Sequence, residues 1–507
     1  MTFLNVPRSF QELRHRCYRI WQGDVIFWRR HRKKILYWTF IFFHVMGALS
    51  SVRAVMQTRT PQGAIAWAVS LNTFPYVAVP AYWIFGSSHF SDYVAARQKA
   101  REEGGEIIKK LKANLTDESM LLNQPDDLQT VLQKLSTGLP FTTGNHAEYL
   151  IDGGQTYKSI LKGIEEAKDY ILFQFYIIRD DEIGRTFRDA LAAKAQAGVK
   201  VYVMYDEIGS LNLPDSFKTP ITKAGGQFIP FNTTQGYGNR FRLNFRNHRK
   251  VVVIDGRQAW IGGINIGEEY SGSGSSSKDE YLRDTHLRLS GPVVQMVQAT
   301  FIEDWYWAAR KFPTVNWDPQ NSTTNSLKMI SLPTGPSDTL ETCALFYLAA
   351  INSAKERIWI SSPYFVPDEQ IMSALTLAVL RGVDVRVMIP AKTDSKLIDL
   401  SHRGIIGEME KTKVKIYRYE KGFNHQKVML VDDRYSYVGT ANFDNRSFRL
   451  NFEITVAIDD ENFARETEQM LEKDFSAATQ VPEDEFTKSP FWRRLLSRTS
   501  LLLSPVQ

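Results

Sequence analysis

Uncharged apolar residues occupy two long blocks near the start of the chain and only short runs later, so block length separates two structural regimes. Between Lys34 and Arg53 lie eighteen residues without a formal charge, rich in Phe, Ile, Trp and Leu, and positions 60–91 form a longer uncharged stretch. Each can cross a bilayer core of about 30 Å as a helix. A two-helix transmembrane hairpin is therefore expected over 35–91, with Trp38 and Trp83 at aromatic ends. Further on, 170–178 and 199–205 read as strands apolar enough to be buried on both faces, with a helix over 182–197 between them.

That strand, helix, strand order is duplicated. Ala167-Lys168-x-x-Ile171 recurs as Ala354-Lys355-x-x-Ile358, and Ala197-Gly198-Val199-Lys200-Val201 recurs as Arg381-Gly382-Val383-Asp384-Val385. The fold class expected is α/β: two similar lobes of ordinary domain size, related by a pseudo-two-fold axis, behind the membrane hairpin. The segments are a basic N-terminal stretch over 1–34, the hairpin over 35–91 and a connector over 92–130. Lobe 1 follows over 131–325, lobe 2 over 326–485 and an amphipathic tail over 486–507. The run 318–325, rich in Asn, Ser and Thr, reads as the interlobe linker.

Charge sets the expected topology. Arg29-Arg30-His31-Arg32-Lys33-Lys34 precedes the first block, whereas the connection between the blocks offers only Arg53 and Arg59; Arg97, Lys99, Arg101 and Lys109-Lys110 follow the second. The bias of cations toward the cytoplasm puts both termini and both lobes there, in a multi-pass protein of the cytoplasmic membrane. A cleavable signal peptide does not fit the long charged prelude. The tail from Phe491 to Leu503 interleaves Arg493, Arg494 and Arg498 with bulky apolar groups, which suits an interfacial helix facing anionic lipid or a surface helix packed on the lobes. The net charge of +6 is concentrated near these segments.

The chemistry lies in a motif carried by both lobes. His248-x-Lys250 is followed five residues later by Asp255, and His425-x-Lys427 by Asp432; Gly262-Gly263-x-Asn265 and Gly439-Thr440-x-Asn442 then follow in register. On a strand, His248 and Lys250 share one face, as do His425 and Lys427. A phosphodiester between the lobes would meet two imidazoles, two ammonium groups and the carboxamides of Asn265 and Asn442, with Thr440 and Gly263 beside them as further substrate-binding candidates. One imidazole can attack phosphorus while the other protonates the leaving alkoxide. A neutral imidazole needs an acceptor on its far nitrogen. Glu453 is the candidate for the second half, and Asp284 for the first. Asp284 stands thirty-six residues after His248 where Glu453 stands twenty-eight after His425, and the Ser/Gly tract over 271–277 accounts for the difference. A flexible loop there reads as an inert surface loop or, from its position directly after the site, as a lid. Asp255 and Asp432, beyond four apolar residues, read as anchors of the following turns. His286 and His402 read as solvated or core histidines. Cys17 and Cys343 suggest no disulfide framework, no residue spacing suits zinc, and no cofactor is required.

These paired motifs resemble those of the phospholipase D superfamily, whose motif counts Asp255 and Asp432 with the catalytic residues. Along nearly its whole length the chain is similar to the bacterial cardiolipin synthases of that superfamily. The resemblance rests on Arg59-Thr60-Pro61, Ala66-Trp67, Phe85-Gly86, Leu139-Pro140, Gly144-Asn145, Ser362-Pro363-Tyr364-Phe365-Val366-Pro367-Asp368-Glu369 and the stretch from Gly439 to Glu453. One departure is Gln174, before Phe175-Tyr176, where such proteins often carry an acidic residue. The resemblance implies transfer of a phosphatidyl group between two phosphatidylglycerol molecules, giving cardiolipin and releasing glycerol, with no nucleic acid involved. It leans toward His248 as nucleophile and His425 as acid/base, an assignment the residues themselves leave open. Hydrolysis of phospholipid to phosphatidic acid, phosphatidylethanolamine as donor and, less consistent with the hairpin, nuclease activity are the alternatives. The sequence is silent on acyl-chain preference and oligomeric state.

Overall fold

The computed structural model describes residues 10–58, 60–86, 90–105, 109, 113–115, 120–122, 124–136, 139–232, 244–272, 281–322 and 326–506, with backbone alone at 10–30, 91, 101, 505 and 506. The chain forms two compact units, 1–88 and 89–507.

In the first unit one helix runs from Phe10 to Gln57, and its part from His31 to Gln57 is the one span among the described residues long and apolar enough to cross a membrane. The second apolar block departs from expectation: it forms two helices, Pro61–Thr73 and Pro75–Phe85, instead of one. Pro75 has no N–H to donate and bars its predecessor from the helical region, and Phe74 sits at φ −130°. At 1.5 Å per residue each piece falls well short of a bilayer core. Ala54, Leu71, Ala78, Val79 and Tyr82 form the unit's core, and Asn72 donates to the Ser51 hydroxyl at 2.7 Å. Trp38, Phe42, Leu49, Val52 and Val77 are exposed, an outward apolar surface that water would not favour.

The second unit is built on one large sheet, with two further two-stranded sheets. Lobe 1 contributes β1 (Thr142–Ile151), β2 (Tyr170–Phe175), β3 (Lys200–Tyr205), β4 (Gln227–Pro230), β5 (Arg246–Asn247), β6 (Val251–Ile254), β7 (Gln258–Gly262), β8 (Leu282–Arg283) and β9 (Thr285–Ser290). Lobe 2 contributes β10 (Leu327–Thr334), β11 (Arg357–Ser361), β12 (Phe365–Val366), β13 (Asp384–Pro390), β14 (Lys415–Tyr419), β15 (Phe423–Asn424), β16 (Val428–Val431), β17 (Tyr435–Gly439), β18 (Phe443–Asp444), β19 (Asn451–Asp459) and β20 (Ala478–Gln480). Lobe 1 is ordered β4-β3-β2-β6-β7-β9-β1, and lobe 2 mirrors it as β14-β13-β11-β16-β17-β19-β10 with β20 added at its edge. β1 and β10 pair antiparallel, joining the halves into one large sheet; the two-stranded sheets are β8 with β15 and β12 with β18. The duplication read from the sequence is thus the symmetry of the fold.

Helices 152–166 and 182–196 cover one face of lobe 1, and their buried residues join β2 and β3 in one core. The almost wholly buried helix Val293–Ala309 lies in the core that continues into lobe 2. β2 ends at Phe175, earlier than expected, because the chain turns there to meet Ile266 through Ile178. Of the expected linker, 318–322 is irregular and 323–325 lies outside the described residues. The expected lid also falls largely outside them, at 273–277.

Two short strand pairs cross between the lobes and position the site. β5 pairs in parallel with the start of β19, Arg246 opposite Asn451 and Asn247 opposite Phe452. β15 pairs in parallel with β8, Phe423 opposite Leu282 and Asn424 opposite Arg283. Each motif histidine is the next residue after such a pair.

Candidate active site

The crossing strands dictate which carboxylate meets which imidazole. The His248 amide donates to the Phe452 carbonyl at 2.9 Å, and the His425 amide to the Arg283 carbonyl at 2.8 Å. Each histidine therefore lies beside the residue that follows its partner on the other lobe. The His248 Nδ1–H donates to both oxygens of Glu453 at 3.0 Å, and the His425 Nδ1–H donates to Asp284 at 2.6 Å. This reverses the expected pairing, in which each carboxylate served the histidine of its own half: β8 and β19 deliver their carboxylates across the lobe boundary. An acceptor on Nδ1 fixes the tautomer and leaves Nε2 to carry the lone pair.

Side-chain alternation is consistent with this frame. Asn247 and Arg249 both turn inward to Asp304, so Arg246, His248 and Lys250 share the opposite face. In lobe 2, Asn424 meets Ser361 and Gln426 meets Asp474, which leaves Phe423, His425 and Lys427 on the equivalent face. Both lysines are buried, and each ammonium donates to the carbonyl of its own motif histidine. The rings of Tyr176 and Tyr270 flank the two imidazoles, Tyr176 edge-on to His248 at 5.0 Å and Tyr270 at 5.9 Å from His425.

Burial dominates the electrostatics. It pulls His248 down to about 4 against the raising influence of Glu453, with Lys250 adding to the fall. Burial and then Lys427 bring His425 to about 4. Both imidazoles are thus neutral near neutral pH. Burial also lowers Lys427 to about 8 and Lys250 well below its ordinary value, each partly held up by the carboxylates. Burial would raise Glu453 and Asp284, but His248 and Lys250 hold the first below the usual carboxylate range, and Lys427 and His425 hold the second. Lys427 acts on His248 and Lys250 on His425, so the two halves form one electrostatic unit.

Other expected residues fall into groups. Asp255 and Asp432 stand away from the imidazoles. The Asp255 carboxylate accepts the amides of Lys168, Asp169 and Tyr170, and that of Asp432 accepts those of Lys355, Glu356 and Arg357. Both sit at φ 52°, an unfavourable conformation for a side chain with a Cβ, held by these three bonds. They are anchors, as their spacing suggested, and not members of the site. Thr440 and Gly263 lie against the two carboxylates: the Thr440 hydroxyl donates to Glu453 at 2.6 Å, and a Cβ at Gly263 would lie 2.2 Å from an Asp284 oxygen. Asn265 accepts the Ile177 amide at 3.1 Å. Among the described residues the buried Asn442 carboxamide oxygen has no hydrogen-bond partner. His402 accepts the Phe365 amide and belongs to the core, whereas His286 is buried with neither ring nitrogen partnered among the described residues.

Sequence reasoning missed the polar layer behind the site. Asp304 accepts from Tyr93, Gln174, Asn247 and Arg249, while Arg249 also donates to the Glu453 and Thr334 carbonyls of lobe 2. Asp474 is its counterpart, held by Arg283 and Gln426. Gln174 accordingly faces Asp304, where an acidic residue would bring two carboxylates together. A polar residue between motif His and Lys was the available signal. Among the described residues no group of three or more His, Cys, Asp or Glu could hold a metal ion.

Two mirrored lobes sharing paired His and Lys residues, each imidazole backed by a carboxylate, define a phospholipase D-type phosphotransfer enzyme. The family described as "Cardiolipin synthase, PLD-like domain" matches residues 160–305 and 347–475. The chain is 43% identical over 465 residues to cardiolipin synthase A of Pseudomonas entomophila, covering 91% of this chain and 96% of that protein. To the cardiolipin synthase A of Pseudomonas putida strain W619 it is 42% identical, with the same coverage. The phosphatidylserine synthase of Haemophilus influenzae shares the fold, with a TM-score of 0.57 at 15% identity over 75% of this chain and all of that one. The chain belongs to the cardiolipin synthase family of phospholipase D-like proteins.

Proposed function

We propose that this enzyme transfers the phosphatidyl group of one phosphatidylglycerol to the terminal hydroxyl of a second, giving cardiolipin and glycerol. The observation that carries this reading is the crossed pair of neutral imidazoles in one bipartite site. The Nε2 of one neutral imidazole attacks phosphorus and the bond to the headgroup glycerol oxygen breaks; the other histidine, which takes up a proton when the anionic phosphodiester binds and is held as the imidazolium by its carboxylate, supplies the proton that glycerol leaves with. The second phosphatidylglycerol then gives its hydroxyl proton to that same histidine, its oxygen attacks phosphorus, and the phosphorus–nitrogen bond breaks. Lys250, Lys427 and the Asn442 carboxamide are placed to stabilise the charge on the phosphoryl oxygens. His248 as nucleophile and His425 as acid/base is the assignment the family pattern favours.

The membrane arrangement follows as part of the same proposal. We infer that the span His31–Gln57 and the broken arm over 61–85 belong to a membrane hairpin; the cations that flank it in sequence support a cytoplasmic side for the lobes. The tail adds an interfacial contact: helix Phe491–Ser500 buries Ser497 and Ser500 and exposes Phe491, Trp492, Leu495 and Leu496. Gly404 allows this close packing, since a Cβ there would lie 2.8 Å from the Ser497 carbonyl. An apolar face turned outward beside Arg493, Arg494 and Arg498 fits an anionic bilayer surface.

The test is lipid mass spectrometry on the full-length protein in phosphatidylglycerol vesicles, with released glycerol quantified and a His248→Ala/His425→Ala control. Cardiolipin and glycerol in equal amounts, absent from the control, are expected. Phosphatidic acid as the main product would make the enzyme a hydrolase.

A further inference from the structure

The residues that open the second unit lie directly behind the crossed strand pair that carries His248. The first unit ends at residue 88, and Phe90 and Tyr93 head the helix Ser91–Glu103. Both are buried. The Phe90 ring stacks on that of Phe245, just before β5, with centroids 4.8 Å apart, and meets Phe452 of β19 edge-on at 5.8 Å. The Tyr93 ring lies 4.6 Å from that of Phe452. The Phe90 amide donates to the Pro336 carbonyl of lobe 2, and Arg97, one turn beyond Tyr93, bonds Glu303 of lobe 1 and Asp338 of lobe 2. The helix is thus fastened to both lobes behind the point where β5 meets β19.

Packing accounts for the two rings and not for the Tyr93 hydroxyl. It donates to Asp304 at 2.7 Å, on the same oxygen that accepts from Arg249 at 2.7 Å, while Gln174 and Asn247 donate to the other oxygen. Burial and then Asp304 push the phenol well above its ordinary value, so it keeps its proton and acts as a donor. The Arg249 guanidinium that shares this carboxylate donates onward to the Glu453 carbonyl at 2.9 Å and the Thr334 carbonyl at 3.1 Å. Glu453 in turn accepts from His248. Tyr93, Asp304, Arg249 and Glu453 therefore run in unbroken contact from the helix Ser91–Glu103 to one imidazole. The counterpart layer differs: among the described residues the Asp474 carboxylate accepts from Arg283 and Gln426 alone.

We propose that Tyr93 is a positioning residue for the reaction: its hydroxyl completes the donor set of Asp304, which holds Arg249 against the backbone of β19 and so fixes where Glu453 meets His248. A buried carboxylate that loses one donor draws its remaining donors toward it, and the guanidinium moves with it. Because Arg249 grips β19 and not β8, the effect falls on His248 and spares His425. The segment that follows the first unit is then part of the catalytic frame as well as a connection. The proposal rests on the phosphatidyl-transfer reading for its effect on rate, and on geometry alone for its effect on His248.

The experiment compares Tyr93→Phe, which keeps the ring and removes the hydroxyl, with wild-type full-length enzyme in mixed micelles of phosphatidylglycerol and detergent. Turnover is counted per folded molecule, the folded fraction being taken from near-ultraviolet circular dichroism of the same sample. Tyr93→Phe is expected to lower kcat by about tenfold, the scale on which small misplacements of reacting groups act, and to leave KM unchanged. In imidazole-labelled enzyme the ring resonances of His248 shift and those of His425 stay. Arg249→Lys, which cannot bridge Asp304 and two carbonyls at once, should move the same resonances. A Glu453→Gln background gives the sharpest comparison, since with the link to His248 already cut Tyr93→Phe should cost little more. An unchanged kcat, an equal further loss in the Glu453→Gln background, or equal shifts at both histidines each overturn the proposal and assign Tyr93 to packing. If wild-type enzyme forms no cardiolipin, the transfer reading fails, and the His248 and His425 resonances still decide whether Tyr93 acts on one half of the site.

Discussion

His248 and His425 are held by carboxylates that come from the opposite lobe, and this makes each lobe's chemistry depend on the other. Glu453→Gln is expected to shift the ring resonances of His248 and spare those of His425, while Asp284→Asn does the reverse; NMR of imidazole-labelled enzyme checks this, and a shift at the same-lobe histidine would contradict the crossing. Each substitution is expected to lower kcat by roughly 10²–10⁴, the range for losing a base or its orienting carboxylate. The pH profile follows from the same groups. The free-enzyme imidazoles both titrate at about 4 and transfer needs one neutral and the other protonated, so kcat/KM should rise as pH climbs toward that value and decline above it. It should fall more steeply beyond about 8, where Lys427 gives up the charge that faces the phosphoryl oxygens. Lys427→Arg is expected to carry the alkaline limb upward. An acid limb at the ordinary histidine value would show that burial does not control the site.

At the scale of elements, the two-residue pairs β5–β19 and β8–β15 do the positioning, with Arg249 stapling one of them. Its guanidinium bridges Asp304 of lobe 1 and two carbonyls of lobe 2, so Arg249→Ala leaves a buried carboxylate unpaired and should cost about 3–5 kcal/mol in denaturant unfolding. These pairs also mark the limit of the sequence. The His-x-Lys repeats, the strand–helix–strand order and the duplication were legible because they are local periodicities and short-range spacings. The crossing was not, since Asn247 meets Phe452 across some two hundred residues in a strand too short to show alternation. The contacts of Thr440 with Glu453 and of Gly263 with Asp284 were hidden for the same reason, because the register that makes them is not given by the sequence. The break at Phe74 had a signal in Pro75, but uniform apolar composition obscured it. The terminal helix makes the remaining element-scale prediction: in a peptide of residues 486–507, without the membrane span, replacing Trp492 and Leu496 by Ala should weaken binding to anionic vesicles by about tenfold or more, given the apolar surface each presents. Unchanged co-flotation of that peptide with vesicles would assign the helix to packing alone.

For the molecule as a whole, pairing of β1 with β10 turns two homologous lobes into one sheet, and the crossed pairs tie the same boundary a second time. Unfolding of residues 89–507 should accordingly be a single transition, checked by calorimetry of the full-length protein in detergent; separate transitions for the two lobes would argue that the boundary is weak. Placing both reacting histidines at that boundary means neither lobe holds a complete site. The account turns on one phosphatidyl group passing through one of these histidines. The most direct measurement is acid-quenched peptide mass spectrometry of enzyme turning over phosphatidylglycerol, with His248→Ala and His425→Ala alongside. A phosphatidyl adduct on His248 or His425, lost when that histidine is replaced and accumulating when the other is, is the predicted result. Cardiolipin formed at full rate with no adduct on either residue would contradict the account.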